Sequence, residues 1–411
     1  MFRPFIRWTA LALGIGALSG SASALFLYLL QQVTELREAH RWLIFLLPFT
    51  GFLVGLAYWK FGKRSDLGNN LLIDEYHESK GPIPFRMTPL VLMGSILTHL
   101  SGGSAGREGT AIQMAASLAD QFTRFFKLTH KTRQIVLLTG FSAGFGSVFG
   151  TPIAGTVFAF EFVTLGTVLR PNALYPVLLA ALVGDAVTMA WGITHHPFSA
   201  GIVPDLGLSA ILYTAIAGAV FGLVARLFSK ITHSISEMCR NKISFPPMRP
   251  FIGGCLFLVF FGWPVMAKYQ GMGDATIQTA FQSPLELYDW LGKLLATGLT
   301  VGSGFRGGEV TPLFYMGATM GNALSTLIPL PLPMLAALGF VAVFAGAANA
   351  PLACTVMALE LFGTRIGSFA ALACVISFLC SGQTGIYSGQ RGLAQKSSDL
   401  SQDAPEDIFR F

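Results

Sequence analysis

Charge is scarce in this chain. Asp, Glu, Lys and Arg together make up 12% of 411 residues, where a soluble domain carries about 25%. With apolar residues at 53% and mean hydropathy at +0.60, composition overrides what length alone says about soluble domains. Cysteine is scarce as well. Cys239, Cys255, Cys354, Cys374 and Cys380 contain no CxxC pair and mostly lie in apolar runs. They read as small core residues, and neither a disulfide framework nor a metal site is expected. A hydrolytic pair is also missing: an enzyme would need a Ser–His or Asp–Asp constellation on facing helices, and His99 merely stands near Ser101. The tandem His195–His196, beside Pro197, has no partner ligand nearby and reads as a solvated loop.

What fills the chain instead is apolar sequence. Residues 42–60, 86–100, 172–192, 207–228, 250–267 and 333–348 are apolar, and some are long enough to span a bilayer. A spanning helix needs ~20 such residues. The chain is therefore expected to be a polytopic helical membrane protein. The net charge of +6 belongs to short basic clusters, "KFGKR" (60–64), "RFFKLTHKTR" (124–133) and "RNK" (240–242), at the ends of apolar segments. That is membrane-loop decoration, not nucleic-acid binding. Arg3 and Arg7 precede an apolar stretch from Trp8 to Leu30, too long for the core of a signal peptide and without a clean cleavage site, so a retained helix is expected. The positive-inside rule then puts the N-terminus and the 60–64 cluster in the cytoplasm, in a cell inner (plasma) membrane.

The chain repeats itself. "GFSAGFGSVFGTPIAGTVFAFE" (140–161) and "GFVAVFAGAANAPLACTVMALE" (339–360) agree at ten of 22 positions at an offset of 199. The same offset puts Gly103, Ser104, Arg107 and Gly109 on Gly302, Ser303, Arg306 and Gly308. Two halves, 1–200 and 201–395, are expected, followed by a polar tail over 396–411. Duplicated halves suggest a transporter or channel whose site lies where broken helices of both halves meet. The breaks are visible as glycine-rich pieces at 102–109 and 302–308, and as Pro152 and Pro351, each opening a fresh apolar run. Irregular backbone at membrane depth is tolerated only when buried or lining a cavity, and the N-termini it exposes suit an anion. Close helix packing by small residues accounts for much of 140–160 and 339–358, but gives no reason for an acid at 102–110.

Most acids fall in polar or mixed stretches, among them Glu35, Glu38, Asp66, Asp74, Glu75 and Glu78. Glu161 and Glu360 end apolar runs at equivalent repeat positions, where a structural or interfacial role is expected. Asp185 sits inside 172–192 with nothing nearby to give it a role. Glu108 and Glu309 differ, each standing in or just after a glycine break where a helix should begin. A charge near the bilayer centre costs at least ~2.5–3.5 kcal/mol, which marks it as functional. Ionised, such a carboxylate competes with anions for helix ends; protonated, it leaves them free.

At this point the residues resemble a known family. "GREGT" (106–110) is similar to the GREGP motif of CLC chloride channels and transporters, "GEVTP" (308–312) falls at their GxFxP, and "GTPIAGTVFAFE" (150–161) resembles their N-A-P-L-A-G-x-x-F-x-x-E helix. The resemblance covers nearly the whole membrane portion. It implies an all-α integral membrane fold, a CLC-type antiparallel inverted repeat with tilted and broken helices. The departures, "GNNLL" (68–72) for GSGIP, GREGT and GEVTP, look like the fluoride/proton antiporter branch, CLC-F. Phe162 stands where chloride/proton antiporters carry a second, internal glutamate, so a chloride-type proton route is not expected.

Carried over by position, the resemblance implies that Glu108 is the gating, proton-exchanging glutamate and Glu309 the second acid. It makes Asn69, Thr311 and Tyr387 anion-binding residues. All three are donors of the kind a small, strongly hydrated fluoride needs. Each also has a plainer reading: Asn69 as a helix N-cap, Thr311 bonded back to its own helix, Tyr387 as an interfacial belt residue. The expected function is export of cytoplasmic fluoride in exchange for protons, by a secondary transporter and not an enzyme, with a chloride-selective CLC as the alternative. Fluoride, protons and lipid are the expected partners, without a cofactor. The resemblance implies a homodimer with one pathway per subunit. The tail is too short for the cytoplasmic regulatory domains some relatives append.

Overall fold

A computed structural model describes residues 2–164, 171–195, 198–382 and 385–390. His196, the side chain of Arg3 and the expected polar tail lie outside the described residues. Among the described residues the regular structure is helical throughout, with sixteen α-helices joined by short 3-10 and π turns.

Eight helices precede residue 200: α1 (Phe2–Ala39), α2 (Leu47–Ala57), α3 (Asn69–Glu78), α4 (Met87–Leu100), α5 (Glu108–Phe125), α6 (His130–Phe149), α7 (Pro152–Val163) and α8 (Pro171–Ala190). Eight follow: α9 (Leu208–Lys242), α10 (Met248–Phe261), α11 (Asp274–Ala280), α12 (Asp289–Gly302), α13 (Val310–Leu324), α14 (Leu332–Ala348), α15 (Pro351–Phe362) and α16 (Gly367–Cys380). Shifting by 199 lays the starts of α7 and α15 on each other, and the other helices follow in the same order.

Four helical stretches are long and apolar enough to cross a bilayer: Phe5–Ala39, Arg41–Leu67, Pro171–Ala190 and Leu208–Lys242. The first contains the whole apolar stretch from Trp8 to Leu30 in one helix. The runs at 86–100, 250–267 and 333–348 instead give the shorter α4, α10 and α14. At 1.5 Å per residue the 12-residue α7 and α15 are about 18 Å long, well short of a ~30 Å hydrocarbon core. Each begins with proline at its first position, where a missing N–H costs nothing.

Burial sorts the helices. Most side chains of α5 and α6, and nearly all of those of α13 and α14, are buried. Small residues let these pack backbone to backbone: a Cβ on Gly144 would sit 2.7 Å from the Ala115 Cβ, and one on Gly317 would strike the Gly339 carbonyl. Outward-facing Phe49, Leu53, Leu212, Ile216, Val259 and Phe260 are exposed, a surface suited to lipid. Cys255 lies on that outer face of α10 and Cys380 is half-buried, so the core reading of the cysteines holds only for Cys239, Cys354 and Cys374.

Two other expectations need correction. Arg133, the last residue of the "RFFKLTHKTR" cluster, is not loop decoration but buried. Its guanidinium donates to Asp120, to Glu75 and Ser79, and to the Gly81 carbonyl, with distances of 2.6–3.0 Å. Glu75, read as lying in a mixed stretch, is 1% exposed and also pairs with Arg64. The two carboxylates and two guanidiniums neutralise one another, the condition under which buried charge is tolerated. The network ties the C-terminal end of α3 to α5 and α6, and so fixes where the N-terminus of α3 can point.

Candidate functional site

The two glycine breaks meet at the middle of the molecule. Gly106 donates its N–H to the Gly308 carbonyl and Gly308 returns one to Gly106, both at 2.6 Å. This isolated antiparallel bridge satisfies backbone groups that no helix serves. Glycine is required by the closeness of the approach. A Cβ on Gly106 would lie 2.9 Å from Glu108 Oε2 and 3.0 Å from the Thr311 amide nitrogen. Further bonds hold the first break against the second half: Ser104 meets the Thr297 hydroxyl at 2.8 Å and donates its N–H to Thr300 at 3.2 Å.

Glu108 opens α5 and is fully buried. Its carboxylate does not cap its own helix but rests on the first turn of α13. The Thr311 hydroxyl donates to Oε1, and the Thr311 N–H donates to Oε2 at 3.1 Å. The Arg107 N–H also reaches Oε2 at 3.1 Å, and the Arg107 Nε stands 3.7 Å from Oε1. An acid from one half thus occupies the positive helix end of the other, the kind of place an anion would take.

Two cavities, sharing no lining residue, come to the α13 N-terminus, the smaller at Thr311 and the larger at Glu309, while Glu108 itself lines neither. One, about 400 Å³, is lined by Arg107, Thr311, Phe149 and Phe314, and by α1 residues between Leu27 and Glu35. The other, about 630 Å³, is lined by Asn69, Glu309, Tyr387, Gln113 and Arg306, and by the end of α9. Arg107 and Arg306 are repeat mates, so the duplication puts one arginine on each cavity. Arg306 stacks on Tyr58 with 3.8 Å to the ring centroid and pairs with Asp66.

Of the sequence-derived candidates, Glu108 and Thr311 touch, while Asn69, Glu309 and Tyr387 share the larger cavity. The plainer readings of the three donors are not what the geometry has. The N-cap of α3 is Gly68 and Asn69 is its first residue; the Asn69 Oδ1 is buried without a hydrogen-bond partner among the described residues. Thr311 spends its hydroxyl on Glu108, and Tyr387 is buried, not part of a belt. Glu309 is the N-cap residue of α13, two positions before Thr311, so both acids attend the same helix end. His99 and Ser101 form no dyad: the imidazole lies between the Ser95 and Ala105 carbonyls at 2.7 and 3.0 Å, and Ser101 meets Thr50 at 2.7 Å.

Three features escaped sequence reasoning. Asn70 accepts the Gly389 N–H at 3.0 Å, so the second Asn of "GNNLL" anchors the segment carrying Tyr387. Phe162 is fully buried and packs edge-on to Tyr387 at 5.0 Å, continuing into a stack with Phe158 and Phe145. Finally, Glu161 accepts the N–H groups of Leu352 and Ala353 at 3.1 and 2.7 Å, and Glu360 those of Ile153 and Ala154 at 2.9 and 2.7 Å. The repeat offset placed both glutamates and both helix starts in register and was the available signal for this reciprocal clamp.

Comparison with known proteins agrees with the architecture. Residues 50–382 match the voltage gated chloride channel family. A chloride/fluoride channel protein of Pseudomonas syringae pv. tomato is 50% identical over 396 residues, covering 94% of this chain and 87% of the relative. The crystal structure of a CLC-type fluoride/proton antiporter superposes with a TM-score of 0.92 at 34% identity, covering 95% and 99% of the two chains. A slow cyanobacterial Cl⁻/H⁺ antiporter shares the fold at a TM-score of 0.80 and 20% identity, over 93% and 96%. The helices are thus those of the all-α inverted-repeat membrane fold that the motifs implied, and the chain belongs to the voltage-gated chloride channel (CLC) family.

Proposed function

We propose that the protein is a fluoride/proton antiporter, a secondary active transporter that exports cytoplasmic fluoride against entering protons. The observation that carries this reading is the Glu108 carboxylate seated on the α13 N-terminus between two separate cavities. Ionised, Glu108 fills the anion position and closes the path. Protonated, it loses its attraction for the helix end and vacates it for an anion. Each cycle of that one group then links anion passage to a proton.

Fluoride fits the donors better than a larger ion does. The Thr311 hydroxyl and amide, the Asn69 amide and the Tyr387 hydroxyl supply hydrogen bonds that replace its water. Glu309 is a second acid at the same helix end, reached from the larger cavity and suited to receive the proton or the swung gate. The 34% identical antiporter structure is named for fluoride, and the 50% identical relative for chloride and fluoride together.

We assign the halves as 1–200 and 201–395, supported by the repeated helix order. Lys63 and Arg240 line the larger cavity, so the positive-inside rule makes it cytoplasmic, with the N-terminus on the same side of a cell inner (plasma) membrane. A homodimer with one pathway per subunit follows the family's assembly.

The test is flux from liposomes. Purified protein should release fluoride rapidly with negligible chloride and take up protons in parallel; comparable rates for both halides would make it a chloride-type CLC. Glu108→Gln should abolish coupled proton uptake. Uptake at the wild-type rate would remove Glu108 from its role.

A further inference from the structure

One acid–base pair lies outside the machinery just described. His195, in the segment after α8, places Nε2 3.5 Å from Asp185 Oδ1 of α8. Neither atom has a hydrogen-bond partner among the described residues, although both are buried. At 3.5 Å the contact is too long for a neutral hydrogen bond but close enough for an ion pair. The two side chains keep 21% and 13% of their exposure, so water reaches the pair while its facing atoms stay shielded.

The pair is built into the fold. The imidazole packs on Gly150, the left-handed residue (φ +70°) that ends α6 ahead of α7; a Cβ there would come within 2.6 Å of His195 Cδ2. His195 also lines the smaller cavity, whose wall includes Arg107 and Thr311, the two residues that hold Glu108. Other charged groups facing this place are few. Glu35 and Asp274 line the same cavity. Glu360 lies within electrostatic reach of Asp185, but its oxygens are committed to the α7 amides.

We propose that His195 and Asp185 form a proton-loading site on the outer cavity. This rests on the antiporter reading and adds the group that first takes the proton. The neutral imidazole accepts a proton from outer water, and the imidazolium is held by the Asp185 carboxylate. It then returns the proton to water in the cavity, which delivers it to the Glu108 carboxylate. The neutral acid releases Thr311, and His195 is neutral again, so one proton enters and one is passed on. Histidine suits the task because its charge changes between about pH 5 and 8.

The test varies the outer pH from about 6 to about 9 while proton-coupled fluoride efflux is measured from liposomes. In His195→Gln and in Asp185→Asn the rate at the alkaline end should fall several-fold below wild type, with the rate near pH 6 preserved. The double variant should be no worse than either single one, since the residues act as a pair. A His195→Gln profile superimposable on wild type would overturn the proposal; should that variant fail to purify as a monodisperse protein, the Asp185→Asn profile decides in the same way. Wild-type protein that moves no fluoride with protons would instead defeat the antiporter reading.

Discussion

Thr311 holds one carboxylate twice, by its hydroxyl on one oxygen of Glu108 and its amide on the other. The hydroxyl can be removed without disturbing the amide. A hydrogen bond to a charged group contributes about 1.5–3 kcal/mol, roughly tenfold or more in affinity. In a Glu108→Gln background, where the ionised gate no longer competes, Thr311→Val is therefore expected to weaken fluoride binding, read by calorimetry, about tenfold or more, and Thr311→Ser to stay near wild type. Gly106→Ala should stop flux while leaving a folded protein, because its methyl group would press on both Glu108 and the Thr311 amide; unchanged flux would mean the two breaks tolerate separation. At this scale the acids that matter were legible where sequence context made their burial conspicuous. Glu108 and Glu309 stand among glycines beside apolar runs. Glu75 and Arg133 were not legible as buried, because each lies in a polar or mixed stretch and is neutralised by a partner up to 58 residues away.

Helices α7 and α15 show how elements of opposite halves are joined. Each ends in a glutamate at the wrong end of its own dipole, and each glutamate sits on the positive start of the other helix. Glu161→Gln and Glu360→Gln are each expected to destabilise the detergent-solubilised protein by about 1–2 kcal/mol. Because both clamps join the same two helices, the double variant should lose more than the sum. Strict additivity, measured by denaturant unfolding, would show that the clamps act independently. The starts of these helices could be read from Pro152 and Pro351, since proline favours the first helical position. What capped them could not, because the residues lie about 200 positions away. Phe162 illustrates the same limit: the sequence showed the absence of an acid there, whereas the aromatic stack that fills the position adds Phe145 of α6 and Tyr387 of the C-terminal segment to Phe158, one turn earlier in α7.

For the molecule as a whole, hydropathy revealed the class of fold but not the burial of its parts. The completely apolar α14 is enclosed by protein, while the similarly apolar α10 faces outward; period and composition do not distinguish a lipid from a protein neighbour. The repeat carried the architecture instead. The proposed orientation is open to a direct check in a cysteine-free background. A cysteine at Lys63, on the larger cavity, should react with an impermeant thiol reagent only from the cytoplasmic face, and one at Gly192, on the smaller, only from outside; the reverse pattern would invert the transporter. The reciprocal clamp has a consequence for how the chain is made. The α7 amides that Glu360 receives wait for a residue synthesised 206 or 207 positions later. At ~5–20 residues per second that delay is about 10–40 s. Throughout it the first half sits beside the translocon with an uncapped helix start and a glycine break lacking its bridge. The first half must therefore be sheltered, by the insertion machinery or by water, until the second arrives, and a ribosome stalled between α8 and α13 should leave a product marked for degradation.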